Sequence, residues 1–142
     1  MTRQVLLFVL LALPAASFLA GCDSSRKQLL SADESQVKLR AIQTRAFDTT
    51  DKEKMLRTVM ATLQDLGFVV DNGNEVLGTV SATKLDRYAL RMTVSVRPRG
   101  ESQLLVRASA QHNLRAVEDP EPYQQFFDSL GKAMFLAAQQ VD

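Results

Sequence analysis

Two stretches in the middle of the chain alternate apolar and polar residues with a strict period of two. In residues 88–96 every second position is Tyr, Leu, Met or Val, and in residues 104–110 every second position is Leu, Val or Ala. Pro98, Arg99 and Gly100 between them are typical of a turn. Because successive side chains of a strand point to opposite faces, this pattern predicts two antiparallel strands with one buried and one solvated face.

Two other segments carry apolar residues at helical spacing. The first follows Thr50 to Glu53, which have the Thr-x-x-Glu spacing of a capping box, and Gly67 is placed to end this helix in a left-handed conformation. The second begins at Asp119 and Pro120, a capping residue and a proline suited to the first helical position. The apolar positions are Met55, Leu56, Val59, Met60, Leu63 and Leu66 in the first helix, and Tyr123, Phe126, Phe127, Leu130, Met134 and Ala138 in the second.

The second helix contains three phenylalanines and an internal glycine. We expect Phe126, Phe127 and Phe135 to lie in the core rather than to form a binding surface. Gly131 costs about 1 kcal/mol relative to alanine inside a helix. Its presence therefore predicts a close approach of this helix to the sheet.

The remaining elements complete the predicted fold. Residues 37–48 are predicted as a strand with Phe47 pointing into the core, and residues 68–70 and 76–83 as a hairpin that turns at Asp71 to Asn74. The resulting order is β-α-β-β-β-β-α. It predicts a two-layer α+β domain over residues 37–142, with a mainly antiparallel sheet and two helices on one of its faces.

The N-terminus has the layout of a secretory signal peptide. Arg3 precedes an apolar run from Val5 to Ala16, which is shorter than a membrane span and is interrupted by Pro14. We expect residues 1–21 to be removed. The sequence Leu19-Ala20-Gly21-Cys22 resembles the lipobox of bacterial lipoproteins, in which the cysteine becomes lipid-modified. The alternative is a soluble secreted protein with a chance cysteine, and both interpretations put the mature chain outside the cytoplasm.

The lipobox resemblance implies a membrane anchor at Cys22. One acyl chain binds a membrane only marginally, but the resemblance implies several chains and hence a stable anchor. Asp23 resembles an inner-membrane sorting signal, which favours the inner over the outer membrane. Residues 22–36 are polar without a sustained period, so we expect a short tether that holds a periplasm-facing domain near the bilayer.

Charge and residue types argue against several classes of function. Without residues 1–21 the chain has 16 Lys plus Arg against 16 Asp plus Glu, which predicts no nucleic-acid partner. Cys22 is the only cysteine and His112 the only histidine, so no nucleophile–base pair or metal-ligand cluster is indicated. Glu118, Asp119 and Glu121 fit a helix start. We expect no enzyme, no cofactor and no metal site.

The solvated face of the predicted sheet is the candidate partner-binding surface. Arginine and hydroxyl groups there are suited to carboxylates of a partner protein, although an antiparallel sheet also commonly leaves one face simply hydrated. The candidate residues are Arg91, Thr93, Ser95, Arg97, Arg107, Ser109 and Gln111.

Short motifs in the mature region resemble short lipoproteins of Gram-negative bacteria. They are Arg45-Ala46-Phe47, Thr62 to Phe68, Leu77-Gly78 and Phe126-Phe127. As a lipidated α+β domain, the chain is also similar to lipoprotein accessory subunits of outer-membrane assembly machinery. The resemblance implies a cell-envelope accessory or scaffold protein that binds a protein partner in an export or assembly complex. The alternative is a small-molecule or lipid-binding domain with an apolar cavity between sheet and helices. The sequence leaves self-association open.

Overall fold

The computed structural model describes residues 22–86 and 88–139. The predicted signal peptide lies outside these ranges. The chain divides into two compact units, residues 1–38 and 39–142. The helices of the described ranges are α1 (Cys22–Ile42), α2 (Lys52–Asp65) and α3 (Glu121–Gln139), and the strands are β1 (Thr44–Phe47), β2 (Val69–Asn74), β3 (Thr79–Asp86), β4 (Tyr88–Arg99), β5 (Gln103–His112) and β6 (Arg115–Ala116).

The second unit is a two-layer α+β domain, which confirms the predicted fold class. Its antiparallel sheet has the strand order β1-β5-β4-β3-β2, and the short β6 pairs with β5 beside β1. Helices α2 and α3 cover one face of the sheet. The buried core between the layers includes Met55, Val59, Leu63, Val80, Met92, Val94, Val96, Leu104, Val106, Tyr123, Phe126 and Leu130.

Helix α2 has a defined cap at each end. The carboxylate of Asp51, rather than the predicted threonine of a capping box, accepts the N–H of Lys54 at 2.9 Å. At the other end Gly67 has φ +83° and donates its N–H to the carbonyl oxygen of Gln64 at 2.9 Å. The N–H of Phe68 donates to the carbonyl oxygen of Leu63 at 2.9 Å. These two bonds form a Schellman motif, so the predicted left-handed end is confirmed.

The segment before β1 differs from the prediction. Residues 22–36, predicted as a tether, belong to α1, and the strand predicted from residue 37 begins only at Thr44. The segment 22–42 contains no Gly or Pro, and its many Ser, Gln, Lys and Glu residues leave it polar on nearly all sides. Because a polar helix lacks an apolar stripe, the periodicity that identifies helices was missing here.

A surface ion pair supports α1 within the first unit. Glu34 and Lys38, four residues apart, approach to 2.8 Å. The hydrogen bond and the positive charge of Lys38 hold the pKa of Glu34 below its ordinary value. Both side chains are well exposed, so the pair favours helical structure only modestly.

The first hairpin turns four residues later than predicted. Residues 71–74 belong to β2, and the chain reverses between Glu75 and Gly78. The carboxamide oxygen of Asn74 accepts the N–H of Leu77 at 2.8 Å and so stabilises the turn. The β2–β3 register shifts between Val70 and Asn72, where Asp71 is an extra residue in β2, as in a β-bulge. The turn-forming residues Asp, Asn and Gly therefore sit in an irregular strand.

Two predictions for α3 are wrong. A Cβ added at Gly131 would meet nothing within 4 Å, so this glycine marks no close approach to the sheet. Phe126 and Phe127 are buried, but Phe135 is 65% exposed. Phe135 lies next to the half-buried Met134 and outside the stripe that faces the sheet, because it comes five residues after the buried Leu130 and so points away from it around the helix.

Candidate interaction face on the sheet

The candidate residues predicted from β4 and β5 lie side by side in the structure. In the β4–β5 register Arg91 is opposite Gln111, Thr93 is opposite Ser109, and Ser95 is opposite Arg107. The alternate positions, such as Val94 and Val106, are fully buried. The period of two therefore divides these strands into a core-facing side and a polar side that the helices do not cover.

We name the polar side the outer face and define it by the residues that the register brings together. Strand β3 extends it, since Thr83 is opposite Arg91 and Ser81 is opposite Thr93. Its members are Thr79, Ser81 and Thr83 of β3, Arg91, Thr93, Ser95 and Arg97 of β4, and Arg107, Ser109 and Gln111 of β5.

Hydroxyl groups at the centre of the outer face are bonded to each other. The hydroxyls of Ser81 and Thr93 lie 3.2 Å apart, and Ser109 donates to the carbonyl of Thr93 at 3.3 Å. These bonds link three adjacent strands through their side chains. The centre is thus a neutral, fixed surface with half-buried or short side chains.

Exposed arginines surround this neutral centre. Arg91, Arg97 and Arg107 are exposed. Within residues 22–86 and 88–139, the salt bridges of the described side chains join Glu34 to Lys38 and Glu53 to Arg57, and neither pair is on the outer face. The guanidinium groups of the outer face are consequently available to carboxylates of another molecule.

The carboxylates nearest to this face are occupied by neutral donors. Asp71 on β2 accepts the hydroxyl of Thr83 at 2.6 Å, and Asp48 after β1 accepts the amide of Gln103 at 2.5 Å. Each lies at an edge of the sheet rather than beside the arginines of β4. The outer face therefore combines a neutral centre, exposed arginines around it, and carboxylates at the two edges of the sheet.

A buried polar cluster at the side of β5 was not predicted. Gln43 is 5% exposed and donates its side-chain amide to the hydroxyl of Tyr123 at 3.2 Å. The same hydroxyl accepts the N–H of Ala110 at 3.2 Å and donates to the carbonyl of Val117 at 2.6 Å. Arg107 of the outer face donates to the side-chain oxygen Oε1 of Gln43 at 3.5 Å. In the sequence, the alternation of Val37, Leu39 and Ala41 with polar residues breaks at Ile42, next to Gln43, and this break is the local signal for the cluster.

This cluster fills a gap in the sheet edge. Strand β1 pairs with β5 up to Arg107, and β6 pairs with it only from Gln111. Between them the N–H of Ala108 donates to the carbonyl of Gln43 at 2.9 Å. A notch of about 160 Å³ opens here towards the outer face. Its lining includes Gln43, Thr93, Ser109 and Gln111.

The other residues singled out in the sequence lie away from the outer face or carry no described side chain. His112 is exposed at the end of β5, and its ring meets the edge of Tyr88 with centroids 6.4 Å apart. Asp119 accepts the N–H of Glu121 at 3.0 Å, as a helix start requires. In the described part of the chain no three His, Cys, Asp or Glu side chains form a metal-binding group.

The predicted anchor is only partly within the described ranges. Cys22 and Asp23 begin α1, and most of the lipobox precedes them. Among the helices that the structure describes, none combines the length and apolar character needed to cross a bilayer.

No protein-family model matches the chain, and no curated protein matches it significantly.

Proposed function

We propose that this chain is a lipid-anchored accessory or scaffold protein of the cell envelope that binds a protein partner in an export or assembly complex. The binding surface would be the outer face, and the partner would present carboxylates to it. The observation that supports this proposal is the group of exposed arginines, Arg91, Arg97 and Arg107, without salt bridges among the described side chains.

The residue types on the outer face suit protein recognition. Arginine offers planar, paired N–H donors that bind a carboxylate through two bonds, and it is common at the centre of protein interfaces. The strands beneath hold Arg91 and Arg107 on a fixed surface, since β4 and β5 pair over their whole shared length. A fixed surface loses less conformational entropy when a partner binds than a mobile loop does.

The anchor and the outer face have complementary roles in this proposal. Acylation of Cys22 would hold the domain at a membrane, facing the periplasm, and Asp23 would favour the inner membrane. Confinement to a membrane raises the effective concentration of the domain near a partner in the same membrane. A modest affinity of the outer face would then suffice for assembly.

The alternative function, binding of a small molecule or lipid, requires an open cavity between sheet and helices. The structure has an apolar space of this kind, a groove of about 280 Å³ between α2 and the β2 edge that Leu56, Met60 and Val80 line in part. The exposed arginines of the outer face are a separate feature that a small-molecule site does not account for, and they give partner binding the stronger support.

In vivo crosslinking of the native lipidated chain, followed by mass spectrometry, tests the proposal. The double variant Arg91→Glu, Arg107→Glu reverses the charge of the outer face and should lose the crosslinked partner. The matched control is Arg40→Glu, Lys132→Glu, which reverses two exposed charges outside the outer face and should retain it. Equal recovery of the partner by the double variant and its control would refute the role of the outer face.

A third variant, Cys22→Ala, tests the anchor separately. It should release the chain from the membrane fraction and lower the recovery of the partner. Membrane association that persists in Cys22→Ala would contradict lipidation of this cysteine. The role of the outer face is tested independently by the charge variants.

A further inference from the structure

Strand β2 forms one edge of the sheet and is paired on one side only. Its neighbour is β3, and in the described ranges no backbone hydrogen bond from outside that pair reaches Val69 to Asn74. Five of its six residues are exposed. The backbone groups on the free side of β2 can therefore pair with an added extended chain.

A groove runs beside this free edge, between β2 and α2. It has a volume of about 280 Å³. Leu56, Met60 and Val80 give it an apolar lining, and Gly73 of β2 forms part of the opposite wall. A Cβ placed on Gly73 would lie 3.5 Å from the sulfur of Met60, so Gly73 lies close to Met60 and a branched side chain at residue 73 would occupy part of the groove.

The edge and the groove fit a single kind of ligand. A strand added to β2 would lie about 4.8 Å from it and direct alternate side chains to opposite faces of the sheet. On the helix side, such a side chain would meet the groove next to Met60. We propose that β2 and this groove bind an extended peptide segment of a partner protein, with one apolar side chain inserted into the groove against Leu56, Met60 and Val80.

Charges at the rim define the peptide further. Glu53 is paired with Arg57, whereas Glu75, which is exposed, has no salt bridge among the described side chains. The charged lining residues thus carry one more negative than positive charge. A peptide with Lys or Arg next to its apolar residue complements this rim.

The same charges argue against a second copy of this chain as the occupant. An antiparallel pairing of two β2 strands centred on Gly73 would place Asp71 of each copy opposite Glu75 of the other. Like charges directly opposite each other destabilise a strand pair.

Selection of peptides by the full chain, solubilised in detergent, tests this site. A random-peptide phage library should yield sequences with one apolar residue flanked by Lys or Arg and without proline. A synthetic peptide of the selected sequence should slow amide hydrogen exchange in residues 69–74. Failure to enrich any such peptide, or protection confined to other strands, would overturn the proposal.

Substitutions then test the geometry of the groove. Gly73→Val puts a branched side chain against Met60, suits a strand, and should weaken binding of the synthetic peptide at least about tenfold. Met60→Ala enlarges the groove and should shift selection towards larger apolar residues. Glu75→Lys should weaken binding of the basic peptide, and unchanged affinity in both Gly73→Val and Glu75→Lys would contradict the site.

The control for this site comes from the outer face. Arg91→Glu lies on β4, away from β2 and α2, and should leave peptide affinity unchanged. The site at β2 is therefore tested independently of the outer face. A loss of peptide binding in Arg91→Glu equal to that in Gly73→Val would refute a separate site.

Discussion

The hydroxyl of Tyr123 and the side-chain amide of Gln43 meet at 3.2 Å across 80 residues of sequence. Tyr123 lies in the first turns of α3, and Gln43 lies between α1 and β1. Together they satisfy backbone groups at the gap between β1 and β6, where no described strand pairs with this side of β5. A side-chain pair thus completes the sheet edge in place of a ladder of backbone bonds.

The first prediction concerns this hydroxyl. Tyr123→Phe removes the acceptor of the Ala110 N–H and the donor to the Val117 carbonyl, and both groups would stay buried without partners. We expect the free energy of unfolding to fall by about 2–4 kcal/mol. Urea denaturation measures it, with Tyr88→Phe, an exposed residue, as the control. A loss no larger than that of the control would show that water replaces the hydroxyl.

The second prediction compares two glycines. Gly78 has φ +66°, and a Cβ there would lie 2.5 Å from the carbonyl oxygen of Val96. Gly78→Ala should therefore destabilise the domain by about 2 kcal/mol or more, because the positive φ is unfavourable for alanine and its Cβ would clash with the Val96 carbonyl oxygen. Gly131→Ala, which meets nothing in α3, should stabilise it by about 0.5–1 kcal/mol. Thermal denaturation of both variants checks the opposite signs.

The third prediction concerns the aromatic residues of α3. Phe126 is fully buried, so Phe126→Ala should cost about 3–5 kcal/mol of stability. Phe135→Ala, at 65% exposure, should change stability by about 0.5 kcal/mol or less. Denaturant midpoints of the two variants provide the measurement. A large loss of stability in Phe135→Ala would show that Phe135 packs in the core after all.

The fourth prediction is a pH dependence in α1. The pKa of Glu34 is lowered by Lys38 from its ordinary value of 4.5. The ion pair therefore favours the helix above about pH 4.5, and this contribution is lost as the pH falls through the lowered pKa. NMR chemical shifts of residues 31–38 should report less helix in acid. In Glu34→Gln the change over this pH range should be smaller, and an equal change would assign it to other groups.

Sequence periodicity predicted the parts of the fold in which one side of an element is apolar. The alternation of Met92, Val94 and Val96 placed Arg91 and Thr93 on the outer face, and the register confirms that they lie beside Gln111 and Ser109. This success has a simple cause, since a strand with one buried face allows only one orientation of its side chains.

Other features have no local signal in the sequence. Helix α1 lacks an apolar stripe, so helix propensity was the only local signal for it, and the segment was predicted as a tether and a strand instead. The chain turns at Glu75 to Gly78, although the preceding segment Asp71 to Asn74 is richer in turn residues and instead belongs to the irregular strand β2. The contact of Gln43 with Tyr123 depends on how α3 crosses the sheet edge, and residue spacing contains no information on that crossing.

The gap beside β5 has a consequence for folding during synthesis. The strand pairs at its middle with groups from Gln43, Val117 and Tyr123, and the last two leave the ribosome after all of β5. Until the segment from Val117 to Tyr123 docks, the N–H and C=O of Ala110 lack their partners on this side of β5, as on any unprotected strand edge. A chain that stalls before residue 123 would expose this part of the edge to neighbouring chains, so the docking of Tyr123 also protects the nascent protein from aggregation.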